Sequence, residues 1–115
     1  MAVSVILLRS FLLIVWTAVA AVTVWALLDL GVVEAPRTFL SDLHHPWRAQ
    51  FYADLEAHLL LVGAWMIYRE RLPLVGLACA AATLLLGALF SLPYVLLASV
   101  KARGDMRRLL LGARA

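Results

Sequence analysis

The chain has 115 residues, 65% hydrophobic and only 15% charged, with a net charge of +3. A soluble domain is about half apolar and a quarter charged, so so short a chain cannot hide this much apolar surface from water. The composition excludes a disulfide scaffold and a cysteine-based metal cluster, because Cys79 is the single cysteine. Outside the C-terminal tail there is no basic face with interleaved aromatics, which excludes a nucleic-acid partner.

The first apolar stretch covers about 3–28, and 10–28 is free of charge. That is close to the roughly 20 residues a helix needs to cross hydrocarbon. Arg9 lies near its start, within reach of headgroups. Ala18-Val19-Ala20 has the form of a signal-peptidase site. The start lacks a basic region, however, and apolar residues continue to Leu28, so an uncleaved span is expected. Residues 29–50 form one long connection with Pro36, Pro46 and mixed charge, expected at the interface with a short surface helix near 37–43. Trp47, Phe51 and Tyr52 suit an aromatic belt where the chain returns to lipid.

A second span is expected over 51–68, although only 59–68 is free of charge. Its first turns hold Asp54, Glu56 and His58. At 100° per residue Asp54 and His58 share a face and sit at i and i+4, where side chains meet. Glu56 falls on the other side. Ionisable groups at membrane depth are costly and mark functional candidates, whereas near a helix start an acid also complements the dipole. Structural pairing, with Arg48 as a partner for Asp54, is the expected role. Asp42, His44 and His45 are too few and too loosely spaced for a zinc site. No phosphate loop, nucleophile elbow or HExxH motif is present. Neither a metal nor a cofactor is expected.

After Arg69-Glu70-Arg71, Pro73 suits the first turn of a third span over 74–100. It is charge-free and longer than a bilayer requires, so tilt or a bend is expected, with Pro93 as its cause. Gly76, Ala80, Thr83, Gly87 and Ser91 recur at spacings of three or four, a stripe on which helices pack closely in lipid. The tail, 101–115, holds Lys101, Arg103, Arg107, Arg108 and Arg114. It reads as an interfacial helix or a disordered basic tail facing anionic lipid.

Residues 39–101 resemble a family of short bacterial membrane proteins known only as a domain of unknown function. The resemblance rests on Pro46 with Phe51-Tyr-Ala-Asp-Leu55, on Trp65 with Arg69-Glu70-Arg71, and on Gly87-Ala-Leu-Phe-Ser-Leu-Pro-Tyr94. It implies three spans, singles out Asp54, Glu70 and Pro93, and implies no activity. Here His45 stands where the family pattern has Asn, and Glu56 and His58 fall outside that pattern.

These readings converge on a single all-α membrane domain over 1–115: three transmembrane helices in an antiparallel bundle, a long interfacial loop and a basic tail. With three crossings the loop and the tail share a side. That side holds seven Lys and Arg against Arg9, Arg69 and Arg71 opposite. The positive-inside rule then puts the C-terminus in the cytoplasm and the N-terminus outside. The expected place is a bacterial inner membrane. The expected role is a non-enzymatic accessory subunit, packed against another membrane protein or copies of itself. Two alternatives stay open. One is an enzyme acting on a lipid-soluble, isoprenoid-like substrate through Asp54, assisted by Glu56 or Glu70. The other is a transporter or proton relay using Asp54 and His58.

Overall fold

The computed structural model describes residues 2–115; Met1, the first residue of the expected domain, lies outside them. Among the described residues the chain is helical throughout: α1 (Ala2–Leu30), α2 (Glu34–Asp42), α3 (Pro46–Arg69), α4 (Pro73–Leu86), α5 (Ala88–Lys101) and α6 (Met106–Leu111), with a closing 3₁₀ turn. Apolar runs without β-periodicity or hairpin turns explain the absence of strands. Over Val3–Leu30, α1 is long and apolar enough to cross a membrane, and only 6% of its most apolar stretch is buried in the protein.

Helices α3 and α4 form an antiparallel hairpin across Glu70–Leu72, with Pro73 in the first turn of α4. Glycines set their closeness. A Cβ on Gly76 would stand 2.9 Å from the Ile67 Cα, and one on Gly63 would stand 3.1 Å from the Ala80 Cβ. Thr83 is fully buried in the same seam and meets the Met66 sulfur at 3.1 Å. The expected small-residue stripe therefore divides. Gly76, Ala80 and Thr83 line the α3–α4 seam, but Gly87 and Ser91 do not share it, because the helix ends first.

An unbroken helix over 74–100 does not form. At Gly87 the backbone takes φ +60° and ψ −132°, a conformation that resists any residue with a Cβ. The chain reverses there. Instead of running on, α5 travels back toward the α3–α4 turn, so that Tyr94 meets Arg69 and Glu70 at the start of that turn. The expected bend at Pro93 is corrected accordingly: Pro93 lies inside α5, and the break falls six residues earlier. Pro93 offers no N–H to the Leu89 carbonyl one turn before it. The Trp16 indole N–H of α1 supplies that hydrogen bond at 3.1 Å.

α1 runs antiparallel to α5. Arg9, expected to reach headgroups, donates instead to the Ser99 hydroxyl at 3.2 Å and the Ser99 carbonyl at 3.3 Å. The start of α1, the end of α3, the end of α5 and α6 thus gather at one end of the molecule. The α1–α2–α3 connection lies at the other end. The loop and the tail are therefore at opposite ends, whereas three full crossings would have put them together.

Candidate functional site

A cluster of mutually bonded polar side chains sits where α3 ends. Arg69 occupies the last turn of α3, its side chain only 10% exposed. Its Nη1 donates to the Tyr94 hydroxyl at 2.9 Å, and its Nε donates to the Leu109 carbonyl at 3.0 Å. The Tyr94 hydroxyl donates in turn to Glu70 Oε1 at 2.7 Å, and Arg69 stands 3.6 Å from the same oxygen. The guanidinium also lies over the Trp65 and Tyr94 rings at about 5.5 Å. Among the described residues no fully buried side-chain nitrogen or oxygen lacks a hydrogen-bond partner, which is the condition for a half-buried charge to be tolerated.

The tail closes over the cluster. Asp105 caps α6 by accepting from the Arg107 and Arg108 backbone N–H groups. Leu109 is buried with Ala98 and Ala102. The Trp65 indole donates to the Leu110 carbonyl at 2.8 Å, and Arg114 donates to the Tyr68 carbonyl at 3.1 Å. A Cβ on Gly112 would run into the Arg69 carbonyl oxygen, so only glycine lets the tail lie this close. Of the two forms expected for the tail, the short helix is the one that forms.

The residues singled out in the sequence are dispersed rather than gathered. Asp54 and His58 do meet on one face of α3: the ring Nδ1 lies 2.8 Å from the Asp54 carbonyl and 4.0 Å from its carboxylate. Both side chains point outward, 66% and 72% exposed. Glu56, half-buried, lies on another face. Arg48 pairs with Asp42 at 3.1 Å, not with Asp54, and Tyr52 donates to the same carboxylate at 2.9 Å. The geometric reason is that α2 folds back over the start of α3 and brings Asp42 to it. Glu70 stands at the far end of α3 from Asp54, held by Tyr94 and Arg69.

A mainly apolar cavity of about 420 Å³ lies between the end of α1, α2 and the start of α3, with Leu27, Leu30, Phe39 and Tyr52 in its wall. A second cleft, about 410 Å³, opens between the α3–α4 turn, the end of α5 and α6, and its charged lining is Arg69, Glu70, Arg71, Lys101 and Arg108. Sequence reasoning named the tail cations but not their convergence with Arg71. Tyr94 entered only as part of a resemblance. A hydroxyl-bearing aromatic in a charge-free helix, with Arg69-Glu70 elsewhere in need of a partner, was the signal available.

The fold and the site together define an all-helical protein with at least one helix suited to a membrane. Comparison of the chain with protein-family models, curated proteins and solved structures finds no match.

Proposed function

We propose that the chain is a small multi-pass protein of a bacterial inner membrane and serves as a non-enzymatic subunit beside a larger membrane partner or copies of itself. The observation that carries this reading is the uncovered apolar surface of α1, which has Phe11, Ile14, Val22 and Trp25 more than half exposed. Patches of this extent belong against lipid or another protein. The outward position of Asp54 and His58, with Glu70 engaged elsewhere, favours a subunit over an enzyme or a relay. Neither alternative has its acids gathered around one cavity.

In this reading α1 and α3 cross the bilayer, and α4–α5 enters and leaves from the same side. Fourteen residues per arm give about 21 Å of helix, short of the ~30 Å hydrocarbon thickness. The reversal at Gly87 supports such a re-entrant hairpin. Eight of the ten Lys and Arg then fall at the α6 end, and only Arg37 and Arg48 at the other. By the positive-inside rule the α6 end is cytoplasmic, and the N-terminus joins it there.

Reporters fused in turn to each terminus test the placement. Cytoplasmic activity at both ends is expected, and opposite sides would restore three full crossings. Purification in mild detergent with native mass spectrometry tests the role. A stable complex or oligomer is expected, and a lone monomer would count against a subunit.

A further inference from the structure

We propose that the basic cleft between the α3–α4 turn, the end of α5 and α6 binds a phosphate ester, supplied by the headgroup of an anionic lipid. The inference rests on the membrane reading above and adds a ligand and its residues.

The charge in the cleft is unbalanced. Arg69 and Glu70 answer each other through direct approach and through Tyr94. That leaves Arg71, Lys101 and Arg108 in the wall. Arg108 has one acid nearby, Asp105 at 3.7 Å, and that carboxylate already accepts the backbone N–H groups of α6. The side chains of Arg71 and Lys101 make neither a hydrogen bond nor an ion pair with any described residue.

Three solvent-exposed cations on three separate elements thus line one opening. The tail is not free to move away, because Leu109, Leu110 and Gly112 fix it against Arg69 and Trp65. A multivalent oxygen anion resolves the imbalance. Phosphate suits it, since Arg binds phosphate oxygens through its planar fork and Lys as a point charge. A volume of about 410 Å³ lies within the usual range of small-molecule sites.

The surroundings favour a lipid as the source of that phosphate. Ala98 and Ala102 form the inner wall. Beside them Leu97 and Val100 leave an apolar face of α5 more than half exposed, along which acyl chains can lie. Positive charge at the cytoplasmic end of such helices is where anionic headgroups are met.

The test uses the full chain in phosphatidylcholine bilayer discs containing a minor share of phosphatidylglycerol, with the lipid retained on the protein counted by native mass spectrometry. R71Q and K101Q should each cut the preference for phosphatidylglycerol by roughly fivefold. The pair R103Q/R107Q removes as much charge as the pair R71Q/K101Q, but outside the cleft, and should change the preference by less than about twofold. Equal losses from the two pairs would reduce the cleft to general basic attraction and overturn the site, as would no loss from R71Q/K101Q. sn-Glycerol 3-phosphate serves as the soluble probe in a thermal-shift assay. Stabilisation by it at millimolar concentration, without lipid preference, would overturn the lipid source in favour of a free ester. Resistance to alkaline carbonate extraction is scored separately. A chain that resists extraction yet shows no lipid preference refutes this inference alone, and an extracted chain refutes the membrane reading.

Discussion

The two halves of the molecule are built to different standards. At the α6 end, α1, α3, α4, α5 and the tail meet, and every buried residue of the described chain lies there: Val5, Leu12, Gly63, Met66, Thr83, Ser99 and Leu109 among them. Between residues 13 and 62 none is buried. The cause is the hairpin. Turning back at Gly87, α4–α5 fills only one half of the space between α1 and α3. The opposite half holds a cavity walled by Leu27, Leu30, Phe39 and Tyr52. Close packing is thus a local product of short arms and glycine seams, not a property of apolar sequence in general.

Breaking the tight half should cost most at Arg69. R69A leaves Glu70 without its cation and the Tyr94 hydroxyl and Leu109 carbonyl without their donor, and losing one partner of a buried pair costs about 3–5 kcal/mol. Partial exposure places this site at the lower end, read as a fall in the unfolding midpoint and protease release of the tail. Next come the glycines. G112A and G76A each put a Cβ against backbone, where overpacking costs about 1–3 kcal/mol. G112A should free the tail while leaving the α3–α4 hairpin intact, and G76A should do the reverse, as hydrogen exchange can resolve. A smaller effect, about 0.5–1.5 kcal/mol, is expected for W16F, which removes one hydrogen bond to the Leu89 carbonyl. In a P93A background, where residue 93 offers its own N–H, that loss should shrink, and a double-mutant cycle measures the coupling. The loose half should respond least. D54N changes an exposed residue and should shift stability by no more than about 0.5 kcal/mol. If complex formation also survives D54N, Asp54 is not a working group; loss of assembly at unchanged stability would reinstate it.

Much of the fold was legible. The length of α1, the surface helix before Pro46 and the helix start at Pro73 follow from hydropathy, charge and proline position, whereas α3 begins at Pro46, five residues ahead of the span expected over 51–68. The Asp54–His58 contact follows from helical periodicity. The reversal at Gly87 did not, for a physical reason. Lipid-facing and protein-facing positions are both apolar in 74–100, so no periodicity marks a change of direction. A glycine in such a run looks like a packing residue, and a proline looks like the break. What decides between them is a donor from another helix: Trp16 compensates Pro93, and nothing compensates a Cβ at φ +60° and ψ −132°. The Arg48–Asp42 pair was hidden likewise, since it needs the fold-back of α2. The Arg69–Tyr94–Glu70 group joins residues about a helix-pair apart in sequence and shows no local pattern.

The hydrogen bond from Trp16 to Leu89 also bears on the order in which the protein is made. Chains fold from the N-terminal side as they are synthesised, so the indole of α1 is already in place when the proline-containing helix emerges. The first helix is then a template on which a defective one is completed. A chain deprived of its first twenty residues would have to end synthesis with a bare carbonyl in the first turn of α5.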